Sequence, residues 1–188
     1  MAELSEFPDL LPSQSLTKGL IQLYTGNGKG KTSAALGVVL RAAGHGLRTH
    51  IIYFMKGNAR YGDQEALKYL PNVTYSRFGL SKFVAPGWVT PEEKEQAEQA
   101  LVKARQVMLS GSYDIVVLDE INVAVAWHLL ELDAVLELLK EKPERVEIIL
   151  TGRYADPQLI ELADLVTEMV EIKHPFNEGI LARQGVDY

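Results

Sequence analysis

The stretch Leu20-Ile21-Gln22-Leu23-Tyr24-Thr25-Gly26-Asn27-Gly28-Lys29-Gly30-Lys31-Thr32-Ser33-Ala34-Ala35-Leu36-Gly37 decides the fold. An apolar run of strand length opens it, a glycine-dense loop follows, and an alanine-rich helical pattern closes it. Strand, loop and helix in that order are the context a phosphate-binding loop requires. Gly26, Gly28 and Gly30 can adopt backbone angles closed to other residues, so successive N–H groups can converge on one anion. A helix starting near Lys31 adds its unpaired N–H groups and the positive end of its dipole. Lys31 is placed to reach terminal phosphates, and the Thr32 hydroxyl to sit on Mg²⁺. The usual spacing, G-x-x-x-x-G-K-[ST], puts a glycine at position 25, where this chain has Thr25. That departure leaves the geometry at the start of the loop open. The plainer alternative is a glycine-rich turn capping a helix, with solvated lysines. The flanking strand and helix patterns weigh against it.

A phosphate loop needs an anionic anchor for its metal, and Tyr113-Asp114-Ile115-Val116-Val117-Leu118-Asp119-Glu120 supplies one. An apolar strand ending in carboxylates is the usual partner of such a loop. Asp119 and Glu120 therefore join Thr32 as candidate metal ligands, against the alternative of two surface acids at a strand end. Val146–Leu150 is another buried strand and delivers Thr151-Gly152-Arg153, which makes Arg153 a candidate for phosphate or ribose. A surface arginine is the competing reading.

Further apolar runs alternate with helical patterns. Thr49–Met55 reads as a strand buried on both faces, as in a parallel sheet. Val73–Phe78 and Leu165–Ile172 read as strands. Helices are expected from Lys31 to about Ala43, Glu65 to Leu70, Pro91 onward, Leu129 to Lys140 and Ala155 to Ala163. The first of these has almost no polar face and is expected to be buried on most sides. Gly44-His45-Gly46 signals a left-handed stop, and Thr90, Pro91 and Glu93 spell an N-terminal capping box. Candidate groups at the carboxyl ends of strands define a doubly wound, mostly parallel α/β domain over residues 20–188. Residues 1–19 read as a flexible N-terminal arm. In the irregular stretch Gly79 to Pro91, Phe83 and Trp88 either form an apolar platform for a ligand or pin the loop to the core. His174 precedes a proline, and no nucleophile stands near it in sequence.

The bulk numbers close off other classes. At 188 residues the chain suits one domain with a large core. A net charge of −6 argues against a sequence-independent nucleic-acid binder. No apolar run approaches the roughly 20 residues needed to span a bilayer. Cysteine is absent, which excludes disulfides and thiolate metal sites and is compatible with a cytoplasmic setting. Residues alone imply Mg-ATP or Mg-GTP binding, without naming the bond that breaks.

Several motifs occur together in order: Thr25 to Thr32, Arg41-Ala42-Ala43-Gly44-His45-Gly46, Phe54-Met55-Lys56-Gly57, Val117-Leu118-Asp119-Glu120-Ile121-Asn122, Thr151-Gly152-Arg153 and Lys173-His174-Pro175-Phe176. With the ending Ala182-Arg183-Gln184-Gly185-Val186-Asp187-Tyr188, the set resembles the ATP:corrinoid adenosyltransferases of the CobA/BtuR/CobO type, from about Gln22 onward. Thr25 fits that family's loop. The resemblance implies a phosphate-loop, RecA-like domain that transfers the 5′-deoxyadenosyl group of ATP to the cobalt of a reduced corrinoid and releases tripolyphosphate. It implies an ATP site at Thr25, Gly26, Asn27, Gly28, Lys29, Gly30, Lys31, Thr32, Ser33 and Arg153, and catalytic roles for Lys31, Thr32 and Glu120. Mg²⁺ (or Mn²⁺) would be held at Thr32, Asp119 and Glu120, with the nucleotide reversed relative to ordinary phosphate-loop enzymes. Phe83 and Trp88 lie where the family uses aromatics against the corrinoid. A homodimer and a flavin-type reductase as electron donor are also implied. The competing functions are a RecA-like ATPase or phosphotransferase, including a thymidine-kinase-like case whose zinc cysteines have no counterpart here, and a nucleotide or corrinoid sensor without turnover.

Overall fold

The computed structural model describes residues 15–57, 61–80, 87 and 89–188. Six strands are β1 (Ile21–Thr25), β2 (Thr49–Tyr53), β3 (Val73–Arg77), β4 (Ile115–Asp119), β5 (Glu147–Thr151) and β6 (Leu165–Glu168). The helices are α1 (Lys31–Gly44), α2 (Gly62–Leu67), α3 (Pro91–Leu109), α4 (Ile121–Ala126), α5 (Leu132–Lys140) and α6 (Pro157–Leu162). The strands form one sheet in the order β3-β2-β4-β5-β1-β6. Every pairing in it is parallel, so the expectation of a mostly parallel sheet becomes a wholly parallel one.

The apolar runs explain why two layers of helix are needed. Successive strand residues face opposite sides, and both faces of β4 and β5 are apolar. Val116, Leu118, Ile148 and Leu150 pack with residues of α3, α4 and α5 on one side. Val117 and Ile149 pack with Ala35, Val39 and Ala42 of α1 on the other. Each fully buried aliphatic side chain of this kind contributes roughly 1.5–3 kcal/mol.

Local signals stop and start the helices as expected. Gly46, at φ 74°, lets the Leu47 N–H reach the Ala42 carbonyl and the Gly46 N–H reach that of Ala43, both at 3.0 Å, the double bond of a Schellman stop. At α3, the Glu93 N–H donates to Thr90 Oγ1 (3.2 Å) and the Thr90 N–H to Glu93 Oε2 (2.8 Å), closing the capping box. Such a cap is worth about 1 kcal/mol.

Three expectations need correction. Helix α1 is not buried on most sides: Lys31, Ala35, Val39 and Ala42 are buried, whereas Leu40 is 63% exposed. Only one layer of sheet meets it, and its outer apolar residues face away. Strand β6 ends at Glu168 rather than Ile172 and is exposed throughout, because it is an edge strand that pairs, among the described residues, with β1 alone. Helix α4 went unforeseen, since Ile121-Asn122-Val123-Ala124-Val125-Ala126 has no polar face to mark a helical period. Residues 1–14 of the expected arm, and Phe83 and Trp88, lie outside the described residues. Gly19 is fixed: its N–H donates to the Glu144 carbonyl at 2.7 Å, and an added Cβ there would lie 2.2 Å from the Val146 backbone.

Candidate functional site

The loop after β1 is shaped from below by the chain leaving β6. The Met169 N–H donates to the Thr25 carbonyl (2.8 Å), and the Gly28 N–H donates to the Met169 carbonyl (2.7 Å). A Cβ at Gly26 or Gly28 would stand 2.5 or 2.7 Å from the Met169 oxygen, so close approach, not only turning, demands glycine. Thr25 closes the question left by the spacing. It is the last residue of β1, paired with Glu168, and its hydroxyl accepts from the Ala155 N–H at 3.3 Å. The left-handed angles begin at Gly26 (φ 95°) and recur at Gly30 (φ 119°), so position 25 needs no glycine. Gly30 precedes α1 without any side-chain cap, and no acidic residue sits in the first turn. That helix start is therefore available to an anion. Lys31 is buried and curls back, donating to the carbonyls of Gly26 (2.7 Å) and Gly28 (2.6 Å). Burial lowers its pKa from the ordinary lysine value, partly countered by Glu120.

Across from the loop stands Asp119, 1% exposed. Its Oδ1 accepts from the hydroxyls of Thr32 and Thr151, each at 2.8 Å, and its Oδ2 accepts from Lys56 Nζ at 2.6 Å. The Lys56 ammonium also lies 5.5 and 5.1 Å from the ring centroids of Tyr53 and Tyr61. Burial works against its charge, but Asp119 and Glu120 outweigh that and raise its pKa to about 12. Glu120 starts α4 with a left-handed backbone (φ 68°), and its carboxyl is raised by burial and then by the charge of Asp119. Two acids crowded together, one of them reluctant to ionise, with a threonine hydroxyl touching the other, are the hard oxygen donors that suit Mg²⁺. Thr32, Asp119 and Glu120 therefore fit that ion, which takes few protein ligands and completes its shell with water and phosphate. Among the described residues no group of three or more His, Cys, Asp or Glu gathers as a denser metal cage.

Several of the candidate residues line one cavity. A cavity of about 310 Å³ is walled by Gly28 to Ser33 together with Glu120, Arg153, His174 and Asp187. Arg153 meets the loop there, whereas Thr25, Gly26, the exposed Asn27 and the buried Asp119 lie outside that wall. Two further cavities adjoin it. One of about 610 Å³ shares Lys29, Arg153, His174 and Asp187 and adds Phe176, Ile180 and Leu181. The other, about 290 Å³, runs from Thr32 and Ser33 past Lys56, Tyr61 and Asp63 to Tyr188. Sequence reasoning left three participants unassigned. Lys56 was legible as the lysine just past a buried strand. His174 accepts the Phe176 N–H on Nδ1 at 3.2 Å and enters the cavity from the far end of the chain. Asp187 pairs with Lys29 and takes Arg183 Nε at 3.0 Å; no local pattern announces a contact that spans 158 residues.

This fold and site are those of a phosphate-loop α/β protein with two acids and a threonine hydroxyl gathered at the carboxyl edge of its sheet. A family model described as ATP:corrinoid adenosyltransferase BtuR/CobO/CobP matches residues 17–188. A corrinoid adenosyltransferase of Pseudomonas aeruginosa is 39% identical over 91% of this chain and 84% of its own length. Another from a Sinorhizobium species is 37% identical over 95% and 85%. One from Escherichia coli is 34% identical over 91% and 86%. Among solved structures, ATPases 2 and 3 of EssC from Geobacillus thermodenitrificans reach a TM-score of 0.47 at 16% identity, covering 90% of this chain and 35% of that one; this is too distant to bear on function. The chain belongs to the ATP:corrinoid adenosyltransferase family.

Proposed function

We propose that this protein transfers the 5′-deoxyadenosyl group of ATP to the Co(I) of a reduced corrinoid and releases tripolyphosphate. The electron pair on cobalt attacks the ribose C5′, the bond from C5′ to its oxygen breaks, and that pair leaves on the triphosphate. The nucleophile carries no proton, so no general base is required. What the protein must do is align the partners and stabilise the charge gathering on the leaving group. The observation that carries this reading is one cavity in which the start of α1, Lys31, Arg153 and Glu120 meet.

Lys31 is the group that touches the departing triphosphate, exchanging the Gly26 and Gly28 carbonyls for phosphate oxygens. Arg153 holds the same anion from the loop after β5. Mg²⁺ bound at Thr32, Asp119 and Glu120 would neutralise part of the phosphate charge. Lys56 stays protonated at any working pH and balances Asp119. Phe83 and Trp88 are proposed to meet the corrinoid. With no cysteine in the chain, an internal thiol couple cannot supply the electron that turns Co(II) into Co(I). A flavin-type reductase is the proposed donor. A cytoplasmic setting and a homodimer belong to the same proposal. The open edge of β6, where Leu165 and Val166 are about 40% exposed, supports the latter. No helix among the described residues is long and apolar enough to cross a membrane.

Incubation with ATP and a chemically reduced corrinoid tests the reading. Tripolyphosphate and a changed corrinoid absorption spectrum are expected. ADP and phosphate with an unaltered corrinoid would reject it in favour of an ATPase or phosphotransferase. Lys31→Ala is expected to slow adenosylation by roughly 10²–10³-fold, about 3–4 kcal/mol of transition-state stabilisation.

A further inference from the structure

We propose that Thr151 is a positioning residue that holds the Asp119 carboxylate and the Glu120 backbone in place behind the cation site. This rests on the reading above, in which the site holds metal and triphosphate. Thr151 ends β5, is fully buried, and touches no cavity described above. Its hydroxyl oxygen accepts the Glu120 N–H at 2.9 Å and lies 2.8 Å from Asp119 Oδ1. An N–H can only donate and a carboxylate can only accept, so the Thr151 proton is committed to Asp119. Thr32 Oγ1 lies 2.8 Å from the same Asp119 oxygen and must also donate there. Its lone pairs are thereby left for a hard cation.

One hydroxyl consequently fixes two neighbours at once. It helps lock the Asp119 carboxylate, whose other oxygen is held by Lys56. It also pins the backbone of Glu120, a non-glycine residue at φ 68°, a conformation that persists only where its surroundings enforce it. The sheet order makes this possible, because β5 lies between β1, which feeds the loop, and β4, which carries both acids. Partners behind a metal's own ligands commonly alter metal affinity by about 10–100-fold when removed.

The test compares wild type, Thr151→Val and Thr151→Ser, reading Mn²⁺ bound in the presence of inorganic tripolyphosphate by electron paramagnetic resonance, alongside the thermal midpoint. Val keeps the shape and loses the hydroxyl, and is expected to weaken Mn²⁺ binding about tenfold. Ser keeps the hydroxyl and is expected to stay within about twofold of wild type. A residue that merely held the fold would lower the midpoint and leave Mn²⁺ affinity unchanged. Wild-type affinity in the Val variant, or a Ser variant as weak as Val, overturns the proposal. If Val does not fold, Thr151→Cys, a much weaker donor of similar size, takes its place, and wild-type affinity there overturns the proposal equally. Failure of the wild type to hold Mn²⁺ with tripolyphosphate would overturn the reading of the site and this inference with it. Equal binding by all variants would overturn the inference alone.

Discussion

Strands β5 and β6 flank β1 on opposite sides, yet they serve the phosphate loop by different means. All five residues of β5 are buried and all four of β6 are exposed. β5 acts through side chains: Ile148 and Ile149 fill the two cores, and Thr151 reaches Asp119 and Glu120. The β6 side acts through backbone: the peptide groups of Met169 clamp Thr25 and Gly28 whatever side chains the strand carries. A strand can therefore matter to a site without contributing to the core.

This contrast can be broken or sharpened by measurement. Ile149→Ala on β5 leaves a cavity between sheet and α1 and is expected to cost roughly 2–5 kcal/mol of unfolding free energy in urea titrations. Gly28→Ala attacks the backbone clamp, since its Cβ meets the Met169 and Val170 backbone at 2.7–2.8 Å. The strain is about 1–3 kcal/mol, to be read as roughly 10–100-fold weaker ATP binding by calorimetry. A tolerated alanine there would mean the clamp gives way freely.

The opposite edge offers a pH-dependent comparison. His50 of β2 is buried, contacts Thr74 Oγ1 (2.7 Å) and Ser76 Oγ (3.0 Å) of β3, and has its pKa lowered to about 4 by burial, with Lys103 adding to it. As pH falls from about 6.5 the unfolded chain takes up the proton first, so stability is full above that value and drains away toward pH 4. Unfolding free energies from urea titrations at pH 7 and pH 5 should differ by on the order of 1–2 kcal/mol, and His50→Gln should flatten the slope. Smallest of all, Val166→Ala on β6 is expected to change stability by less than about 0.5 kcal/mol. A larger loss would reveal a covering partner on that edge.

What the sequence made legible was whatever is encoded within a few neighbours. The loop, the capping box at Thr90, the stop at Gly46 and the acids ending β4 each carry their meaning in a short window, and each stands where expected. Periodicity failed where polar contrast was missing. α4 looks like more strand, and the outer face of α1 looks like core because Leu40 is apolar and exposed. The site's remaining members were hidden by distance along the chain. Thr151 and Asp119 are 32 residues apart, Lys56 and Asp119 are 63 apart, and only the parallel register brings their strands' carboxyl ends together. Phe83 and Trp88 lie outside the described residues.

The Met169 clamp has a thermodynamic corollary. Edge strands are the first parts of a sheet to open locally, and here the opening of one would release the start of the loop as well. Because ligand that prefers the closed form draws the equilibrium toward it, nucleotide held at one margin of the sheet would slow amide exchange at the Met169 and Gly28 peptides together, so that fraying and substrate grip become a single equilibrium.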